Sequence, residues 1–142
     1  IKERAVSYNI YEVSPEVIDE INILNAVKIC MVKAVEGLKV KPSALIVDGN
    51  DTHLDFSADD YLEEVKYVVK GDAKSYTVGC ASILAKVYRD NLMDNYDSVY
   101  PEYGFIKHKG YGTALHIEAI KSHGLTPIHR KSFTKNFVEQ DR

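Results

Sequence analysis

Two short apolar runs, each stopped by a carboxylate, set the pattern of this chain. Ala44-Leu45-Ile46-Val47 halts at Asp48-Gly49-Asn50, and Val65 to Val69 halts at Lys70-Gly71-Asp72. Runs of this length, bounded by Gly and Asp, predict strands. Each strand delivers an acid at its C-terminal end, the edge at which open α/β sheets gather their ligands. Upstream, Ala5 to Val13 is rich in β-branched and aromatic residues and predicts another strand. Ser14-Pro15-Glu16 is a helix start, with Ser14 as N-cap and Pro15 in the first turn. Val17, Ile21, Leu24, Val27, Met31, Ala34 and Leu38 then recur every three or four residues, which predicts a long amphipathic helix packed on the sheet.

After Asp72 a second helix follows, with Val78, Ala81, Ala85, Tyr88 and Leu92 on one face and Ile83, Leu84 and Val87 on others. Being apolar nearly all round, it is expected to lie buried against the sheet. Tyr100 to Gly104 reads as a turn, and Thr113 to His123 as a short helix closed by Gly124. The tail carries Pro127 to Phe133. The pattern describes one α/β domain over residues 1–142, without internal repeats.

Composition narrows the class. The chain has 142 residues, 45% of them hydrophobic, enough for a core and too many for a disordered tail. No apolar run approaches the ~20 residues needed to span a bilayer, and the N-terminus lacks a signal-type segment, so a cytoplasmic protein is expected. Cys30 and Cys80 lie in helical patterns and read as reduced, buried thiols. The net charge of −3 is unevenly spread. Residues 1–103 hold 11 Lys and Arg against 18 Asp and Glu, whereas residues 104–142 hold 7 against 3. An acidic body with a basic C-terminal arm suits divalent cations in one part and phosphates in the other; an unevenly charged solvated surface is the plainer alternative.

Asp48 and Asp72 are the candidate metal ligands. Singly, Asp48 is ordinary turn chemistry and Asp72 an ordinary helix cap. Together, at the ends of two strands, they are the oxygen donors that Mg²⁺ takes one or two at a time. Lys107-His108-Lys109-Gly110-Tyr111-Gly112-Thr113 offers phosphate contacts through Lys107 and Lys109 and a stacking face at Tyr111. Its alternative is a Gly-rich turn around a packed Tyr. Asp51, Asp55, Asp59 and Asp60 read as a solvated loop without calcium-loop spacing. His108, His116, His123 and His129 lack zinc spacing. Asp19 and Glu20 read as solvated helix surface.

Ile18 to Leu24, Val47-Asp48-Gly49-Asn50, Lys70-Gly71-Asp72, Ala81 to Asp90, His108 to Thr113 and His129-Arg130-Lys131-Ser132-Phe133, in this order, closely resemble bacterial ribonuclease HII, the type 2 ribonuclease H. The resemblance covers essentially the whole chain and implies a ribonuclease H-like α/β fold. It also implies an endonuclease that cleaves the RNA strand of RNA–DNA hybrids and incises 5′ to ribonucleotides embedded in duplex DNA, a step of ribonucleotide excision repair. Four carboxylates bind two Mg²⁺ or Mn²⁺ ions in that family; the third matches Asp48 and the fourth Asp72. Asp90 falls at a structural Arg-Asp and is not a ligand. The tyrosine that stacks on the deoxyribose 3′ to the ribonucleotide matches Tyr111, with Lys107, Lys109 and Arg130 as nucleic-acid contacts.

The departure from the family is at the N-terminus. The first two family carboxylates lie in an Asp-Glu-Ala-Gly-Arg-Gly segment whose backbone reads the 2′-hydroxyl, and this sequence does not contain it. The chain therefore resembles the C-terminal two-thirds of the enzyme, a fold incomplete at the N-terminus. The expected full-length protein is a monomeric enzyme, and the expected 142-residue chain is inactive alone. The competing expectation is a non-catalytic nucleic-acid-binding fragment.

Overall fold

The structure, a computed structural model, describes residues 1–50, 53–56 and 61–138. It divides into two compact units, one of residues 1–13 and 23–85 and one of residues 14–22 and 86–142. Two helices pass from one unit to the other: α1 (Pro15–Glu36) and α3 (Tyr76–Val99). Among the described residues, no helix is long and apolar enough to cross a membrane.

In the first unit, β1 (Ala44–Asp48) and β2 (Glu64–Val68) form a parallel pair, with Asp48 opposite Val68. The ladder continues one step as the Gly49 N–H donates to the Val68 carbonyl at 3.0 Å. Both strands fall where the apolar runs predict them. The expected strand over residues 5–13 is not one. Strand geometry persists where a neighbour completes its ladder, and this segment is held by side chains instead. Asn9 donates through Nδ2 to the carbonyls of Lys33 and Ala34 at the end of α1, and the Ser7 hydroxyl accepts from the Lys39 N–H. Val6 is left 86% exposed.

The two amphipathic helices are also less covered than their patterns imply. α1 begins as expected, with Ser14 Oγ accepting from the Val17 N–H and its carbonyl from Ile18. It then breaks at Asn22, whose φ of 68° leaves the helical region. Asn tolerates positive φ better than most residues, and apolar spacing reads straight through such a break. In α3, Ile83, Val87 and Ala81 are exposed rather than buried. Two strands ~4.8 Å apart make a strip far narrower than needed to cover a 24-residue helix, ~36 Å long. Instead, Val78, Ala81 and Leu84 join Tyr8, Met31 and Leu45 along an apolar groove of about 940 Å³ within the first unit. Cys30 and Cys80 are free thiols, half-buried rather than buried.

The second unit has the tighter core. α4 (Phe105–His108), α5 (Ala114–His123) and α6 (Lys131–Val138) follow a 3₁₀ turn at Pro101–Tyr103. Met93, Tyr103, Phe105, Ala119 and Ile120 cluster at its centre. Thr113 caps α5 by accepting from the His116 N–H, and Gly124 ends it at φ 83°, as the sequence predicts. The tail from Pro127 to Phe133 carries no helix signal, yet α6 begins within it. Its start is capped from a distance by Asp19, whose carboxylate accepts from the N–H groups of Lys131 (2.6 Å) and Ser132 (3.2 Å) and from the Ser132 hydroxyl. Asp19 is therefore not idle helix surface, as its neighbours in sequence suggest, but an N-cap supplied by another element.

This contact has a measurable signature. The Ser132 hydroxyl, followed by the backbone N–H groups, holds the Asp19 carboxyl below the usual carboxylate range. A depressed carboxyl stabilises the native state above the unfolded pKa of about 4 and loses that contribution as pH falls. Asp19→Ala is expected to lower the thermal midpoint at pH 7. The gap between the two proteins is expected to narrow on acidification below about pH 4. Melting curves across that range check it; a gap that widens in acid contradicts the assignment.

Candidate functional site

Asp48 and Asp72 lie in the first unit and come from adjacent strand ends. Asp48 is the last residue of β1, and Asp72 stands in the first turn of α2 (Gly71–Lys74), immediately after β2. The turn between β2 and α2 puts Lys70 in the left-handed region at φ 56°. This aims the Gly71 N–H at β1, where it donates to Asp48 Oδ1 at 2.7 Å. Gly71 is buried so closely against Asp48 that a Cβ there would lie 3.4 Å from the Asp48 Cα. One oxygen of Asp48 is thereby oriented by the residue preceding Asp72. Asp72 Oδ1 accepts from the Ala73 N–H at 2.9 Å, closing its own turn. Both carboxylates are exposed. Hard anionic oxygens of this kind fit Mg²⁺ or Mn²⁺. Among the described residues no group of three or more His, Cys, Asp or Glu gathers to hold an ion. Asp51, Asp59 and Asp60 of the following loop lie outside the described residues, and Asp55 is exposed.

Tyr111, Lys107, Lys109 and Arg130 lie in the second unit. α4 ends at Lys109 in the left-handed region (φ 49°), followed by Gly110 at φ 76°. This double reversal turns the chain back, and the Tyr111 N–H donates to the His108 carbonyl at 2.8 Å. A Cβ on Gly110 would meet Met93 Cε at 2.9 Å, so both the backbone conformation and the space require glycine there. The ring of Tyr111 is 55% exposed. Arg89 of α3 lies over it, the guanidinium carbon 5.0 Å from the ring centre, and also donates to the Lys109 carbonyl at 2.8 Å. Lys109 pairs with Asp94. Lys107 is exposed, and the Arg130 guanidinium sits 4.8 Å over the Phe133 ring. Asp90, set aside as a ligand, pairs with Lys86 one helical turn away, and that hydrogen bond lowers its pKa.

Sequence reasoning singles out Tyr111 and passes over the groups that hold it. Arg89 is marked in the sequence only as half of a structural Arg-Asp, not as a partner of Tyr111. His116 stands three residues after the cap Thr113, and its ring reaches back to the Tyr111 carbonyl at 3.0 Å.

Residues 1–136 match the sequence signature of the family described as Ribonuclease HII. The chain belongs to the ribonuclease HII family. Among its relatives is the ribonuclease HII of Clostridioides difficile strain 630, 52% identical over 139 residues. That of Acetivibrio thermocellus is 50% identical over 138 residues; each alignment covers 97% of this chain and 52% of the relative. The chain thus spans about half the length of the curated ribonuclease HII proteins it matches. Among solved structures, the ribonuclease H2 of Pyrococcus horikoshii OT3 superposes with a TM-score of 0.68 at 30% identity, covering 89% of this chain and 66% of that one. The α/β architecture is therefore of the ribonuclease H2 kind.

Proposed function

We propose that this chain is the part of a type 2 ribonuclease H that carries Asp48 and Asp72, and that the whole protein is an endonuclease. In this reading it cuts the RNA strand of RNA–DNA hybrids and incises 5′ to ribonucleotides embedded in duplex DNA. The observation that carries the reading is the delivery of Asp48 and Asp72 to adjacent strand ends, tied through Gly71, in a chain of this family. Asp48 and Asp72 would hold divalent ions, Mg²⁺ or Mn²⁺. Such ions, when bound, neutralise charge at a phosphodiester and acidify water. The chain's own contribution is anionic charge held in place by backbone N–H groups. Tyr111 stacks on a sugar beside the scissile position, and Lys107, Lys109 and Arg130 contact phosphates; because Lys109 is already paired with Asp94, it must exchange that partner to do so. Discrimination of RNA from DNA falls on the 2′-hydroxyl, the group that differs between the two backbones. The protein would work in the cytoplasm, as a monomer.

The test compares three labelled substrates, an RNA–DNA hybrid, a DNA duplex with one ribonucleotide and an all-DNA duplex, each with Mg²⁺ and with Mn²⁺. The naturally made protein that carries this chain is expected to cut the first two and leave the third intact. Cleavage of the all-DNA duplex at the same rate would overturn the reading, as would no cleavage of any. Tyr111→Ala is expected to slow incision at the single ribonucleotide more than it lowers the thermal midpoint. Loss of a stacking platform costs about 1–3 kcal/mol, on the order of five- to a hundredfold in rate.

A further inference from the structure

Three of the five histidines, His108, His116 and His129, are buried around the ring of Phe105, each 6–7% exposed. Starting from the two backbone N–H donors, their partners point to one arrangement of ring protons. The Thr126 N–H donates to His129 Nδ1 at 3.0 Å, with the Thr126 hydroxyl 2.8 Å from the same nitrogen, so Nδ1 accepts and His129 carries its proton on Nε2. His129 Nε2 lies 3.1 Å from His116 Nε2, which therefore accepts. His116 is left with its proton on Nδ1, 3.0 Å from the Tyr111 carbonyl. In parallel, the Gly110 N–H donates to His108 Nδ1 at 3.2 Å, and His108 donates through Nε2 to the Tyr103 carbonyl at 2.9 Å. In this arrangement each ring presents one donor and one acceptor. A second proton on any of them sets two donors against each other.

We propose that His116, oriented by His129, is a positioning residue that fixes the turn presenting Tyr111 to nucleic acid, and that it does so only while the histidine relay is uncharged. The inference rests on the reading of Tyr111 as a substrate contact. Thr126 N–H, His129, His116 and the Tyr111 carbonyl form one directed line of hydrogen bonds, ending one carbonyl from the exposed ring. His108 secures the same turn from the other side, at Gly110 and Tyr111.

The surroundings favour the neutral state. The His108 and His116 rings stack at 4.5 Å and the His116 and His129 rings lie 5.2 Å apart, so a charge on one opposes a charge on the next. Phe105 and Tyr103 supply the remaining walls, with His123 beyond Tyr103 and Arg130 adjoining His129. Near the turn, Lys109 is neutralised by Asp94. Burial, followed for His129 by its neighbour His116, pushes both His116 and His129 below the usual histidine range. A histidine so depressed stabilises the native turn above about pH 6.5 and yields that stability as pH falls below it.

Two measurements on the naturally made protein test this. Nitrogen NMR of ¹⁵N-histidine protein is expected to show the proton on Nδ1 in His116 and on Nε2 in His108 and His129, with His116 and His129 titrating below about pH 6.5. Any other tautomer pattern overturns the inference while leaving the function of Tyr111 untouched. Kinetically, His116→Ala is expected to slow incision at a single ribonucleotide by roughly tenfold. His116→Asn, whose amide can replace the Nδ1 donor, is expected to recover most of that loss and to flatten the acid side of the pH profile. In a Tyr111→Ala background His116→Ala is expected to cost nothing further, whereas a role in folding alone would cost the same in both backgrounds. An undiminished loss there, or an Asn variant no better than Ala, overturns the inference. An unchanged rate in Tyr111→Ala alone overturns the reading beneath it, whatever the tautomers show.

Discussion

Asp48→Asn is expected to reduce cleavage of an RNA–DNA hybrid by a thousandfold or more while the protein keeps its fold. The amide oxygen still accepts from the Gly71 N–H, so the link between the β1 end and the β2–α2 turn survives. What disappears is the negative charge. Divalent ions supply several kcal/mol of stabilisation to a phosphoryl transition state, and each 1.36 kcal/mol is about tenfold in rate. Initial rates in Mg²⁺, set beside melting curves, check this. Turnover close to that of the parent at an unchanged melting temperature would remove Asp48 from the chemistry.

Phe105→Ala is expected to be the most destabilising single change in the second unit. Phe105 is 1% exposed and stacks on Tyr103 with ring centres 5.4 Å apart. The rings of His108, His116 and His129 all pack against it. Truncating a buried Phe to Ala typically costs about 3–5 kcal/mol, a large fraction of the ~5–15 kcal/mol that holds a domain together. Removal of this ring also strips part of the apolar wall whose burial holds His116 and His129 below the usual histidine range. Denaturant unfolding at pH 7 measures the loss; a change below about 1 kcal/mol would show that the core closes around the missing ring.

How far the sequence carries can be judged from particular elements. β1, β2, the 3₁₀ turn and α5 are legible because their signals are local: an apolar run with a stop, a Pro-Glu-Tyr-Gly turn, a Thr cap with a closing Gly. The candidate carboxylates are legible for the same reason, since Asp48 ends β1 and Asp72 opens the short helix that follows β2. Residues 5–13 fail because β-branched composition describes what suits a sheet and not whether a neighbour supplies the ladder. The break at Asn22 is silent because apolar spacing resumes after it in step. Asp19 and α6 are 112 residues apart in sequence, and no pattern around either names the other. The histidine line is hidden in the same way: His116 and His129 are tied by tertiary packing, and a search for metal spacing looks past neutral rings that bond to each other.

The Arg89 guanidinium over Tyr111 makes the exposed ring directional. A phenol open on both sides would accept a partner from either, indifferent to which way a strand runs. With one side taken by a cation that is itself anchored to the Lys109 carbonyl, the ring has a back and a front. If Tyr111 makes the sugar contact proposed above, a strand running in the reverse sense would present a different neighbour to the open face, and the ring with Arg89 behind it would favour one polarity.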